Sequence, residues 1–199
     1  VDQAGIVVFN TPGANANAVK ELAVCALLLA SRKITAGSAW LREQAGAGAD
    51  VEKVVEKGKS QFVGPELMGK TLGVIGLGAI GVQVANIATK LGMTVYGYDP
   101  YLSVDAALAM SRLIHRAMDL ETIYKNCDYI SVHVPQTPET KGMINTDSIH
   151  MMKGGVRIIN LARGGLVNDD DMLEALESGK VGAYVTDFPN NKILQGKNV

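Results

Sequence analysis

Gly76-Leu77-Gly78-Ala79-Ile80-Gly81 carries the most direct chemical meaning in the chain. It follows the β-branched run Thr71–Ile75 and opens a segment, residues 80–91, whose apolar residues recur at helical spacing. In that strand–turn–helix setting the first glycine permits the tight turn and the second lets the backbone come close to a pyrophosphate. The third allows the helix to lie against the strand. The helix start adds orphan N–H groups and a partial positive charge, both suited to an anion. A turn of this kind can also be purely structural, but its placement favours a dinucleotide. Asp99 points the same way independently. It ends VYGYD, 18 residues past Gly81, where a carboxylate can accept hydrogen bonds from ribose hydroxyls and repel a 2′-phosphate. Pro100 and Tyr101 follow it rather than an arginine, so NAD is expected over NADP.

Three further strand ends carry polar residues. His133-Val134-Pro135 follows DYISV, Leu161-Ala162-Arg163-Gly164-Gly165 follows VRIIN, and Asp187 follows AYVT. Ligands of open α/β sheets bind beyond the carboxyl ends of the strands, and all these residues fall on that edge. One site is therefore expected there. Arg163 is the catalytic candidate, because its guanidinium fork can pair with a carboxylate and polarise an adjacent carbonyl. A surface arginine in a turn is the plainer alternative. His133, ending an apolar strand, reads as structural. His115, between Arg112 and Arg116, reads as solvated, and His150 as lying on the polar side of a helix. No two histidines stand at metal-ligand spacing, so no metal is expected. Cys25 and Cys127 lack CxxC spacing and read as two buried thiols.

The elements that must position these residues alternate from Gly69 onward. Strands are expected at 71–75, 94–98, 128–133, 156–160 and 181–186, and helices at 80–91, 146–152 and 169–177, the last capped by Asn168. This rhythm predicts an α/β fold: a doubly wound parallel sheet of the Rossmann type with helices on both faces. Ahead of it come a short strand at 5–9, turn chemistry at 10–13, a long apolar helix at 14–33, and a polar stretch of short helices at 34–62. The whole, 1–199, reads as one NAD-binding domain. Residues 1–67 supply a lead-in strand, a long helix and a dimerisation arm, and residues 68–199 the core.

Composition agrees. The chain has 199 residues, 47% apolar and 20% charged, with a net charge of −1. These are ordinary globular proportions, and nothing in the charge balance draws the chain toward nucleic acid or an anionic membrane. The longest apolar run, residues 22–30, falls short of the ~20 residues that a membrane span needs. No basic stretch leads into an apolar leader, and a cytoplasmic protein is expected. The chain opens Val-Asp-Gln and closes Gly-Lys-Asn-Val, and both ends read as cuts.

KTLGVIGLGAIG, Asp99, HVPQTPETKGMIN and INLARGGLVNDDDMLEAL together resemble the D-isomer-specific 2-hydroxyacid dehydrogenases. VFNTPGANANAVKELAV is similar to the segment where that family's chain enters its nucleotide domain, and this segment and YVTDFPN are most similar to the family's D-3-phosphoglycerate dehydrogenase branch. The resemblance implies a nucleotide domain inserted into a flavodoxin-like substrate domain built from the two chain ends and absent here. It places Ala79 and Ile80 at the pyrophosphate, Asp99 at the ribose, Leu161 and Ala162 at the nicotinamide, and Asp187 near the carboxamide. Arg163 falls on the substrate carboxylate and Asn15 on the active-site cleft. The family's catalytic histidine lies beyond the end of this chain. The glutamate that orients it falls, by counting, at Lys192, which cannot accept the histidine's hydrogen bond. Either the loop FPNNKI shifts the register or the protein is catalytically altered. The implied activity is hydride transfer between a D-2-hydroxy acid, such as 3-phosphoglycerate, and NAD, with the histidine as base and Arg163 polarising the 2-oxo group. The family also implies a homodimer using residues 14–33 and 34–62. A non-catalytic NAD-sensing module, like the corepressors built on this fold, is the alternative. A related NAD enzyme such as an S-adenosylhomocysteine hydrolase is disfavoured by ARGG at a strand end.

Overall fold

The computed structural model describes Phe9, Thr11 and residues 13–199. The strand expected at 5–9 and the turn at 10–13 therefore fall largely outside the described residues. Six strands form one sheet: β1 Thr71–Ile75, β2 Thr94–Tyr98, β3 Ile114–Arg116, β4 Tyr129–Val132, β5 Val156–Asn160 and β6 Val181–Thr186. They run in the order β3-β2-β1-β4-β5-β6, and every ladder is parallel. The chain leaves β1 toward β2 on one side and later returns to β4 on the other. The strand order reverses between β1 and β4, and there a crevice opens at the carboxyl ends.

The central strands β1, β4 and β5 are mostly apolar and buried nearly throughout because both faces are covered. Period-two alternation sends Val74 and Ile159 to one side and Ile75 and Ile158 to the other. On the first side lie α1 Ala16–Ser31 and α4 Ala79–Lys90, which meet through small residues, Ala23 and Ala26 with Ala85 and Ala88. On the second lie α6 Leu120–Asn126, α7 Thr146–Met151 and α8 Asp169–Glu177, which share a core with Ile130, Val132 and Ile158 of the sheet. Asn168 caps α8 as expected, its side chain accepting from the N–H groups of Asp170 and Asp171. Full burial of each Val or Ile contributes about 1.5–3 kcal/mol.

Three short elements depart from the expectation. Helix α5, Val104–Ala109, strand β3 and helix α6 occupy a stretch whose pattern is weak because each is six to seven residues or fewer. His115 consequently lies on edge strand β3, its ring tilted against Tyr96 at 5.2 Å. The long helix stops at Ser31 instead of Lys33. Ser31 Oγ donates to the Leu27 carbonyl at 2.6 Å and shares a hydrogen bond with Tyr129 Oη at 2.7 Å, while Arg32 turns extended. The cation at this helix end is Arg157 from β5: its Nε donates to the Ala30 carbonyl at 2.9 Å, and its guanidinium lies 5.4 Å over the Tyr129 ring.

Cys25 is a second correction. Only Cys127 is buried; Cys25 is exposed on the outer face of α1 beside Leu22, Leu28 and Leu29. Burial pushes the Cys127 thiol up to about 12. Residues 34–62 form short helices as expected, α2 Ile34–Gly46 and α3 Val51–Gly58, followed by a 3-10 turn, Lys59–Phe62. Trp40 and Phe62 meet at 5.2 Å, yet no residue of these three elements is buried. Among the described residues no single helix is long and apolar enough to cross a membrane. Helices α1 and α2 reach that length only as a pair bent by 62°.

The Ser31–Tyr129 hydrogen bond should behave as a coupled pair. Ser31→Ala leaves the buried Tyr129 hydroxyl unpartnered and should cost about 1–3 kcal/mol, whereas Tyr129→Phe leaves Ser31 Oγ its bond to the Leu27 carbonyl and should cost less. The double variant should cost less than the sum of the two, as read from urea midpoints at constant m-value.

Candidate functional site

The turn after β1 is assembled by three glycines with different duties. Gly76 has φ +93, outside the range of L residues, and its N–H donates to the Tyr98 carbonyl at 2.8 Å. A Cβ there would stand 2.8 Å from the backbone carbonyl of His133, so the loop presses directly on the end of β4. A Cβ on Gly81 would overlap the carbonyl oxygen of Gly76, which is how α4 comes close to β1. Gly78, the residue ahead of α4, is different: a Cβ there would meet nothing within 4 Å. No side chain caps this helix start and no acidic residue occupies its first turn. The orphan N–H groups at Ala79, Ile80 and Gly81 therefore face an open approach. The turn at Gly13 reaches the same place, its Cβ position lying 3.4 Å from that of Ala79. Asn15 follows as the exposed residue ahead of α1, with no side-chain cap bond.

Asp99 at the end of β2 is tied to this loop. Its Oδ2 accepts from the Leu77 N–H at 2.8 Å and its Oδ1 from the Tyr101 N–H at 2.8 Å. The carboxylate thus fastens the glycine turn to β2 while each oxygen keeps a further lone pair. At the end of β4, His133 Nε2 lies 2.8 Å from the hydroxyl of buried Ser131. Burial drives its imidazole down to about 4, so the ring is neutral at pH 7. Val134 and Pro135 continue onto the rim, where Thr140 Oγ1 donates to the Pro135 carbonyl at 2.7 Å.

The end of β5 is stitched to that rim by backbone hydrogen bonds from Gly142 to Gly165, at 2.9 Å, and from Ile144 to Leu166, at 3.0 Å. Leu161 and Ala162 are half-buried, and Arg163 is exposed. Arg163 Nη1 donates to the Ala162 carbonyl at 2.7 Å. Among the described residues no carboxylate pairs with it, so the rest of its fork is free for an anion. Asp187, exposed at the end of β6, donates its N–H to the Asn160 carbonyl at 3.4 Å. Lys192 does not stand free: its ammonium lies 2.5 Å from Asp170 at the start of α8.

The glycine turn, Asp99, His133, Val134, Pro135, Leu161, Ala162, Arg163 and Asp187 thus all lie along the carboxyl edge of one sheet. Two concavities, of about 180 and 220 Å³, are lined by other residues, the first by α7 and α8 and the second by α1 and the 65–68 segment. Among the described residues no group of acidic, His and Cys side chains could hold a metal. The apolar pattern of VRIIN conceals one participant. Asn160 is wholly buried at the strand's end, and a polar side chain ending an otherwise apolar strand is the signal that could have marked it.

Residues 24–198 match the family described as D-isomer specific 2-hydroxyacid dehydrogenase, NAD binding domain. The chain is 38% identical to a D-3-phosphoglycerate dehydrogenase of Archaeoglobus fulgidus over 99% of its own length and 36% of that protein. It is 43% identical to a hydroxypyruvate reductase of Thermotoga maritima over 90% of this chain and 53% of that one. The NAD-complexed form of a D-isomer specific 2-hydroxyacid dehydrogenase from Lactobacillus delbrueckii ssp. bulgaricus superposes with a TM-score of 0.74 at 28% identity, covering 93% of this chain and 52% of that one. The chain spans about a third to a half of the length of these curated relatives.

Two outcomes follow from the geometry. Gly81→Ala, forced against a backbone carbonyl, should lower stability by about 3 kcal/mol, the upper end for overpacking. Gly78→Ala should leave the thermal midpoint unchanged. His133 should make stability depend on pH. Its folded pKa lies below the ordinary value of 6.5, so its contribution is complete above pH 6.5 and declines as pH falls toward 4. His133→Gln should flatten the upper part of that decline in chemical denaturation series between pH 7 and 5.

Proposed function

The chain belongs to the D-isomer-specific 2-hydroxyacid dehydrogenases as their NAD-binding domain, and from that premise we propose that it serves, together with a substrate-binding domain, in NAD-dependent interconversion of a D-2-hydroxy acid and its 2-oxo acid. The observation that carries the reading is the uncapped start of α4 beneath an unobstructed Gly78, with Asp99 one strand away. Gly78, Ala79, Ile80 and Gly81 would hold the pyrophosphate through backbone N–H groups, with Gly76, its own N–H committed to Tyr98, shaping the turn beneath it, and Asp99 would hold the ribose hydroxyls. A dinucleotide seated across the crevice must lay its other half over β4 and β5. There His133, Val134, Pro135, Leu161, Ala162 and Asp187 would form the nicotinamide wall. Bound there, the nicotinamide supplies or takes up a hydride. Arg163 would grip the substrate carboxylate and polarise the 2-oxo oxygen with the part of its fork that has no partner. His133, neutral and bonded to Ser131, shapes the wall and does not act as an acid.

The D-3-phosphoglycerate dehydrogenase of Archaeoglobus fulgidus points to 3-phosphoglycerate as the substrate. The Thermotoga maritima hydroxypyruvate reductase supports hydroxypyruvate as the second reading. The relatives named are dehydrogenases or reductases, which favours catalysis over the NAD-sensing alternative. The exposed apolar face of α1 and an arm without a buried residue support a homodimer. The net charge of −1 gives no overall pull toward nucleic acid or an anionic membrane and is in keeping with a small-molecule partner, and a cytoplasmic location is part of the same proposal.

Calorimetric titration tests the cofactor half of this reading. NAD should bind, NADP should bind about tenfold more weakly or less, and Asp99→Asn, which keeps one acceptor for the Leu77 N–H, should weaken NAD by about tenfold. Equal affinity for the two nucleotides, or an unaffected Asp99→Asn variant, would sink the assignment of Asp99.

A further inference from the structure

Asn160 is the last residue of β5 and is wholly buried, yet its carboxamide has four polar partners. Its Oδ1 accepts from the N–H of Ala162 at 3.2 Å and from the N–H of Arg163 at 3.3 Å. Its Nδ2 donates to the carbonyl of Arg163 at 2.8 Å and to Tyr184 Oη at 3.2 Å. One side chain therefore holds both N–H groups and one C=O of the turn that carries the chain from β5 into the 3-10 turn Gly164–Leu166. The two N–H donors require an oxygen and the carbonyl requires an N–H, so the amide can sit only one way round. Tyr184 comes from β6, where the ladder sets it opposite Ile158. Its buried hydroxyl accepts from the amide Nδ2.

An apolar residue would fill this end of the core without a polar debt. What the carboxamide adds is a fixed direction for the peptides on either side of Ala162. Those peptides form the part of the crevice where β5 meets the second half of a dinucleotide, and they root the side chain of Arg163, which leaves an extended backbone at φ −158, ψ 141. Small displacements of such a root are costly in a binding or reacting geometry. We infer that Asn160 is a positioning residue: with Tyr184 orienting its amide, it locks the 161–163 turn so that the nicotinamide half of the cofactor and the Arg163 guanidinium meet in register. This rests on the reading of the carboxyl edge as a dinucleotide site.

The test compares two ligands on three chains. NAD and ADP-ribose share the adenosine and the pyrophosphate, and only NAD carries the nicotinamide. Asn160→Asp keeps the shape and both acceptor bonds but sets an oxygen against the Arg163 carbonyl. Tyr184→Phe leaves the amide in place and removes one of its partners. Titration of the full chain should show Asn160→Asp weakening NAD by about tenfold, the equivalent of one buried hydrogen bond, with ADP-ribose within about twofold of the unaltered chain. Tyr184→Phe should give a smaller loss in the same direction, and it keeps the inference testable if Asn160→Asp does not fold. A parallel loss of both ligands would mean that Asn160 only supports the fold. Unchanged binding of both would mean that the turn needs no lock. Either result overturns the inference while leaving the dinucleotide site standing, whereas failure of the unaltered chain to bind NAD or ADP-ribose overturns both.

Discussion

The arrangement depends on how closely α4 approaches β1. The carbonyl of Gly76 occupies the space a side chain at 81 would need, and Gly76 itself abuts the backbone of His133. Three elements, β1, β4 and the first turn of α4, therefore share contacts that exclude side chains. An added Cβ would lift the helix from the sheet, and the orphan N–H groups would no longer face the crevice where the strand order reverses. Asp99 reinforces the arrangement from β2 by accepting from the Leu77 N–H. The carboxylate proposed for the ribose thus also keeps the glycine turn in shape.

Around this contact the molecule divides its labour. Small residues join α1 to α4 on one face, and larger aliphatic and aromatic side chains fill the other. The carboxyl ends of the strands are left to loops, and those loops are not slack. The rim after β4 is hydrogen-bonded to the turn after β5 through Gly142 and Ile144, and Gln136 lies where a Cβ on Gly165 would be, its Oε1 2.5 Å away. Loops positioned in this way can carry binding chemistry because the sheet beneath fixes their roots.

Much of this was legible in the residues, for definite reasons. The strands at 71–75, 94–98, 156–160 and 181–186 stand where the β-branched runs stand, because strands buried on both faces must be apolar throughout. The tight turn at Gly76 and the close helix packing at Gly81 were legible through spacing and context. The region 100–127 was opaque, since α5, β3 and α6 are too short for periodicity to build a signal and bury only part of their surface. Asp99 could be placed, but its bond to the Leu77 N–H could not, since backbone donors leave no mark in a sequence. The exposure of Cys25 leaves no mark in the sequence, because an apolar helix reads alike whether its second face meets the core or the outside. Lys192 was located by counting, which shows a position and not the Asp170 it pairs with.

The fastening of α1 lies at the opposite end of the sheet from the crevice. Ser31 bonds to Tyr129, the first residue of β4, and Arg157, the second residue of β5, takes the Ala30 carbonyl and covers the Tyr129 ring. The residues proposed to face the ligand sit at the last positions of those strands or just beyond. One rim of the sheet bears the architecture and the other the proposed recognition, with a few apolar residues between them. Substitutions that retune what the crevice accepts can therefore accumulate without loosening the helix, and a lineage can change its chemistry while the frame beneath it stays the same.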